Sequence, residues 1–323
     1  MTSSSPLISI VIPVKDRADI VARTLDSVFA QTYRPLRLIL VDNASTDSTP
    51  EVLGDWATAH DSDQFRVSVI SESRPGAAAA RNAGLAAVTT PYVMFFDSDD
   101  IMLPSHVGNV AEAISRHPEA KLIYWDVAVI DSDGWMTLKR PHPGSLLRSH
   151  ILHGTLSTQR IVVSTEHARF VGGWDRSLRQ WDDLEFGLRL LLPLESESVH
   201  YLTGEPTVRI FPQADSLTGP DYSSVSHNLL TALDHLSADI DRSGLEVDKQ
   251  RILQQLVDMR RADVAGHLAR EGNRTEATSI MQEILQSAPV LRDALLLRMT
   301  FLTVRLFGRG GFLLAPDLPK SRD

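Results

Sequence analysis

Four apolar runs in the first hundred residues constrain the fold most: Leu7 to Val14, Leu36 to Val41, Phe65 to Ser71 and Tyr92 to Phe96. Runs this short, rich in β-branched and aliphatic residues, suit strands of a parallel sheet buried on both faces. The segments between them have helical character. Asp19 to Gln31 places Ile20, Leu25, Val28 and Phe29 at helical spacing, and Ala77 to Val88 is rich in alanine. Alternation of this kind predicts an α/β fold, a mostly parallel sheet flanked by helices, with ligands bound beyond the carboxyl ends of the strands. Asp42 and Asp97 sit at two such ends.

The run ending at Phe96 is followed at once by Asp97-Ser98-Asp99-Asp100. Carboxylate oxygens are hard ligands suited to Mg²⁺ or Mn²⁺, which are usually held by one or two carboxylates plus substrate phosphates. The same residues also suit an acidic turn that starts a helix near Pro104, since Asp and Ser favour helix N-caps. Asp42 suits a local turn in the segment Asp42-Asn-Ala-Ser-Thr-Asp47, whose residues readily bond their own backbone.

Five ordered segments resemble the family 2 glycosyltransferases, mostly inverting enzymes with a nucleotide-diphospho-sugar-binding GT-A fold. Ser9-Ile-Val-Ile-Pro-Val14 is similar to the family's first strand, and Val41-Asp-Asn-Ala-Ser-Thr-Asp-Ser-Thr49 to its base-binding segment. Gly76-Ala-Ala-Ala-Ala-Arg-Asn-Ala-Gly84 is similar to its glycine-to-Arg-Asn segment, and Phe96-Asp-Ser-Asp-Asp100 to its metal-binding D-x-D motif. Val171-Gly-Gly-Trp-Asp-Arg-Ser-Leu178 followed by Trp181-Asp-Asp-Leu-Glu-Phe-Gly-Leu-Arg189 resembles the stretch that supplies the catalytic base. The family's usual Glu-Asp pair stands here as Asp182-Asp183, one methylene shorter at its first member.

The resemblance implies donor contacts from Pro13, Val14 and Asp42, from Arg74, Arg81 and Asn82, and from Asp97 and Ser98. It thereby gives Asp42 a second reading beside the local turn, acceptance from the N3–H of a uracil or thymine ring. It implies metal contacts from Asp97 and Asp99. Arg209, followed by Gln213 and Ser216, is similar to a late basic loop that closes near the diphosphate. Asp183 is the expected general base toward an acceptor hydroxyl, with Asp182 beside it. A purely structural role for the pair is to stabilise a helix N-terminus through the macrodipole. The expected cofactor is divalent Mn or Mg, the expected donor a nucleotide-diphospho-sugar, UDP-linked by preference, and the expected acceptor a hydroxyl-bearing glycan or glycolipid.

Other chemistries find little support. No G-x-G-x-x-G and no G-x-x-x-x-G-K-[ST] occurs, which removes the usual dinucleotide and P-loop cradles. There is no cysteine, so thiol catalysis, iron–sulfur clusters and disulfides are excluded. The eleven histidines lack zinc spacing, and even His150 and His153 read as surface or packing residues. A net charge of −9 argues against general nucleic-acid binding. Met1 to Pro6 shows no signal-peptide pattern and no apolar stretch is long enough to span a bilayer, so a cytoplasmic protein is expected.

The domain reading is a catalytic region over 1–222 and a helical appendage over 223–323. Helical patterns cover Asn228 to Leu236, Val247 to Arg270 and Thr275 to Gln286, and the segment Leu268 to Ala277 resembles half of one tetratricopeptide unit. Leu291 to Phe307 is apolar with Arg298, Arg305 and Arg309 on one face. Residues 289–312 therefore read as a peripheral contact with a membrane's cytoplasmic face, or as a cover over the catalytic domain or a second copy. The alternatives to a transferase are a metal-dependent nucleotidyltransferase and a non-catalytic sugar-binding scaffold of a polysaccharide-assembly complex.

Overall fold

The computed structural model describes residues 7–212, 221–288, 290–313 and 315–318. In chain order the first elements are β1 (Ile8–Val14), α1 (Val21–Phe29), β2 (Leu36–Asp42), α2 (Thr49–His60), β3 (Phe65–Ser71), α3 (Ala77–Ala87), β4 (Tyr92–Phe95), β5 (Ile101–Met102) and α4 (His106–Arg116). Then come β6 (Leu122–Trp125), β7 (Val127–Ile130), β8 (Met136–Lys139), α5 (Leu146–His153), β9 (Ile161–Ser164), α6 (Thr165–Phe170) and α7 (Asp182–Leu191). The last are β10 (Val199–Leu202), β11 (Val208–Ile210), α8 (Tyr222–Arg242), α9 (Val247–Glu271), α10 (Arg274–Ser287) and α11 (Leu291–Phe307). They form two compact units. The first comprises residues 1–140, 156–179 and 194–213; the second comprises 141–155, 180–193 and 214–323.

The first unit is built on a seven-stranded sheet of order β10-β6-β9-β4-β1-β2-β3. β1 lies in the interior of this sheet, between β4 and β2, and is apolar on both faces. Ile8, Ile10 and Ile12 lie in register with Leu36, Leu38 and Leu40 of β2 and share a core with Val21, Leu25 and Val28 of α1. Full burial of each such side chain contributes about 1.5–3 kcal/mol. Val11 points to the other face, where α3 approaches so closely that a Cβ on Gly84 would lie 2.2 Å from Val11 Cγ1. Only glycine at that position permits the contact, and it fixes α3 over the sheet. The strand pairs β1–β2, β2–β3, β1–β4 and β6–β10 are parallel, and β9 alone runs antiparallel between β4 and β6. A second sheet, of order β5-β11-β7-β8, carries the chain just after the acidic cluster.

The second unit is helical. α9 is its axis, with Leu253, Leu256, Val257, Leu268 and Ala269 buried against Leu229, Leu233 and Leu236 of α8 and Ile280 and Ile284 of α10. Ile151 and Leu152 of α5 and Leu184 and Leu188 of α7 complete the same core. Side chains cap the helices where they start: Asp221 accepts from Ser224 N at 2.8 Å, and Asn273 from Glu276 N at 3.4 Å. No helix among the described residues is long and apolar enough to cross a membrane.

Candidate active site

The carboxyl ends of β1 and β2 meet in register at Val14 and Asp42. Asp42 is buried, and its Oδ1 accepts from Ser45 N at 3.3 Å, which is the local turn its neighbours favour. Its other oxygen has no partner among the described residues. The following loop is stitched to the end of β1: Asp16 N donates to Ser45 Oγ at 3.0 Å, Thr46 N to Asp16 Oδ1 at 2.6 Å, and Arg17 N to Thr49 Oγ1 at 2.9 Å. The bond from Thr46 holds the Asp16 carboxyl below its ordinary range, as the Thr49 hydroxyl does for Asp47. Asp16 and Ala44 both take left-handed backbone conformations, φ 49° and 54°. Such strain costs about 1–3 kcal/mol per residue and concentrates at functional sites.

Asn43 ties this corner to the loop before α3. Its Nδ2 donates to the carbonyls of Glu72 at 3.1 Å and Arg74 at 2.7 Å, and its Oδ1 accepts from Gly76 N at 2.8 Å. Arg74 grips Glu72 through Nε and Nη2, at 2.9 and 2.7 Å, which lowers the Glu72 carboxyl to about 2. Asn82 donates to the carbonyl of Trp174 at 2.7 Å and accepts from its N–H at 2.9 Å, locking α3 to the Gly172-Gly173-Trp174 turn.

Beyond β4 the acidic cluster is held by a polar lattice. Arg81 Nη2 donates to Asp97 Oδ1 at 2.9 Å, with its guanidinium 4.5 Å from the Trp174 ring centre. Gln159 Nε2 bridges Asp97 Oδ2 and Asp100 Oδ2. Asp100 is 1% exposed and accepts from Phe211 N at 2.9 Å through its other oxygen. Burial, followed by the nearby Asp97 charge, pushes its carboxyl up to about 8. The backbone is held as firmly: Thr24 Oγ1 donates to the Ser98 carbonyl at 2.9 Å, and Arg23 Nη2 to that of Asp99 at 2.6 Å. The side chain of Asp97 stays 30% exposed and that of Asp99 half-buried. Pro13 and Val14 lie at the end of β1, between the Asp42 strand and the Asp97 strand. Arg209, exposed on β11, is in register with Ile101 of β5. Gln213 and Ser216 lie outside the described residues.

Asp182 and Asp183 belong to the second unit, where they open α7 together with Glu185. Trp181, at φ 56°, turns the chain into the helix, and its ring lies 4.3 Å from the Arg260 guanidinium. Asp183 Oδ1 accepts from Leu184 N at 2.8 Å. Glu185 is buried and pairs with Arg189, whose Nη2 donates to its Oε2 at 2.7 Å. His150, fully buried on α5, bonds the Leu184 carbonyl at 2.8 Å and braces the first turn of α7.

Sequence reasoning passed over Asn43, Gln159, Arg23 and Thr24. Their partners are 29 to 76 residues away, so no local spacing announces them. The opposite holds for Asp97, Arg81 and Asp42, which lie at strand ends or on the helix facing them.

A mostly parallel seven-stranded sheet flanked by helices, with Asp42 and the acidic cluster at its carboxyl edge, is the GT-A architecture. The family model described as glycosyl transferase family 2 matches residues 9–170, and the chain belongs to that family. Over 211 residues the chain is 32% identical to the O-antigen biosynthesis protein RfbC of Myxococcus xanthus, covering 62% of this chain and 16% of that one. In two other bacterial relatives the matched stretch is 66% and 67% of the relative's length. Among solved structures, TarS of S. aureus in complex with UDP-GlcNAc superposes with a TM-score of 0.68 at 16% identity, covering 93% of this chain and 87% of that one. The mannosyltransferase PcManGT from Pyrobaculum calidifontis, in complex with GDP-Man and Mn²⁺, superposes with a TM-score of 0.56 at 18% identity, covering 95% and 89%.

Proposed function

We propose that this glycosyltransferase is an inverting enzyme that moves a sugar from a nucleotide-diphospho-sugar to a hydroxyl acceptor, in the assembly of a polysaccharide or glycolipid. The observation that carries the reading is the placement of Asp42 at the end of β2 and of the Asp97–Asp99 cluster just beyond the end of β4, the two strands that flank β1. Two strand spacings separate them, about 10 Å, enough for a base at one end and a diphosphate at the other. UDP is the preferred nucleotide: the open oxygen of Asp42 suits the N3–H of uracil, and TarS, of like fold, is known with UDP-GlcNAc.

A divalent cation fits the donor set. Asp97 and Asp99 offer hard carboxylate oxygens at a partly open strand end. Among the described residues no group of three or more His, Cys, Asp or Glu encloses a metal by itself. Mg²⁺ and Mn²⁺ commonly use one or two carboxylates and complete their shell with phosphate oxygens. Asp97 and Asp99 would hold the ion, which would supply Lewis-acid stabilisation to the departing diphosphate. Arg81 and Gln159 orient the Asp97 carboxylate, and Arg23 fixes the backbone of Asp99. Asp183 takes the proton from the acceptor hydroxyl.

The donor is tested by a panel of UDP-, dTDP- and GDP-sugars read as protection against thermal unfolding in Mn²⁺. Ligand at a hundred times its dissociation constant adds about 2.7 kcal/mol of apparent stability. A UDP-sugar should protect in Mn²⁺ and lose most of that effect in Asp99→Asn. Equal protection of the variant would remove Asp99 from the site, and protection by none of the sugars would remove the donor class.

A further inference from the structure

α11 has two unlike faces. Leu297, Thr300 and Val304 are buried against α9, where Gly266 allows the approach: a Cβ there would lie 2.7 Å from Val304 Cβ. On the opposite side Leu291, Leu295, Met299, Leu302 and Leu306, spaced by four, four, three and four residues, form one continuous stripe. All five are exposed, between 48% and 75%. At 1.5 Å per residue the stripe is about 23 Å long.

The charges beside it have one sign. At 100° per residue, Arg298 and Arg305 border one edge and Arg292 the other, all exposed. None of the three is ion-paired among the described residues. The helix's acidic residue, Asp293, is turned inward to Gln255 Nε2 at 2.8 Å. An apolar stripe bordered by long cationic side chains matches a bilayer interface, where the leucines enter the acyl boundary and the guanidiniums reach phosphate oxygens. A symmetric pairing of two copies across this stripe is less suitable, because Arg298 and Arg305 would meet their own counterparts with no carboxylate on the face to receive them. The chain's net charge of −9 makes this cationic edge a local exception, so attraction to anionic lipid would act here and set the orientation.

We propose that the exposed face of α11 is an in-plane membrane-docking surface for an anionic lipid monolayer. The test uses the full chain floated with phosphatidylglycerol-containing vesicles and with phosphatidylcholine vesicles. Binding should require the anionic lipid and weaken in high salt. Replacing Arg298 and Arg305 together by Gln should weaken binding about twenty-five-fold, two losses of about five-fold each. Leu295→Glu combined with Leu302→Glu should abolish it. Both pairs are exposed, so the thermal unfolding midpoint should stay near that of the parent, which separates lost docking from lost fold. The proposal is overturned if the parent does not float with anionic vesicles or if the leucine variant floats as well as the parent. It is also overturned if the parent is a dimer in solution that the leucine variant dissociates without any vesicle binding, since the stripe would then be a subunit interface.

Discussion

The guanidinium of Arg81 and the carboxylate of Asp97 are joined at 2.9 Å from the middle of α3 to the end of β4. Arg81 is nearly enclosed while Asp97 is 30% exposed, so one partner is fixed by packing and the other faces solvent. A carboxylate held in this way is oriented without being neutralised by burial, which suits the metal contact proposed for Asp97.

Removing Arg81 should therefore destabilise the first unit. Loss of one partner from a fully buried pair costs about 3–5 kcal/mol, and solvent at Asp97 reduces this to about 2 kcal/mol for Arg81→Met. Urea unfolding measures it, with Arg81→Lys expected to recover part of the loss. A change below about 0.5 kcal/mol would mean that the ion pair does not hold α3 to β4.

Asp183→Asn should lower turnover by roughly two to four orders of magnitude, the usual share of general-base catalysis, while leaving donor affinity unchanged. Steady-state turnover beside donor titration separates the two effects. If Asp182→Asn produced that pattern and Asp183→Asn did not, the base would be the first of the pair.

Stability should fall on the acid side through His106. Its ring is buried, Nδ1 lies 2.7 Å from Thr207 Oγ1, and burial lowers its pKa to about 3 from the ordinary 6.5. Between those values the unfolded chain binds the extra proton, so stability rises with pH across the window. The contribution is complete above pH 6.5 and is lost as pH falls toward 3. Each extra proton gives a slope of up to about 1.4 kcal/mol per pH unit. His106→Asn should flatten the curve between pH 6 and pH 4 when unfolding is followed in urea; an unchanged slope would show that His106 is not the group responsible.

The strands were legible from their apolar runs: Leu36 to Val41 extends by one residue to Asp42 in the buried β2, and Phe65 to Ser71 is read and found as β3, an edge strand whose Phe65 is buried and whose Val67 and Ile70 are partly so. Leu291 to Phe307 is likewise read and found as α11. What local pattern cannot carry is long-range pairing. The small sheet joining β5 to β11 rests on strands of two and three residues. The grouping of α5 and α7 with the C-terminal helices depends on Ile151 and Leu188 meeting residues far along the chain. Gln159 shows the same limit at the site, since a lone glutamine between Thr158 and Arg160 gives no sign that it bridges two aspartates.

The central claim is metal-dependent transfer from a nucleotide-diphospho-sugar, and the most direct measurement is the product released from a UDP-sugar by the full chain in Mn²⁺, with and without EDTA. Release of UDP is expected, stopping when EDTA is added and absent in Asp99→Asn. Release of pyrophosphate would identify a nucleotidyltransferase instead. Release of neither product from any nucleotide sugar would contradict catalysis and leave a sugar-binding scaffold.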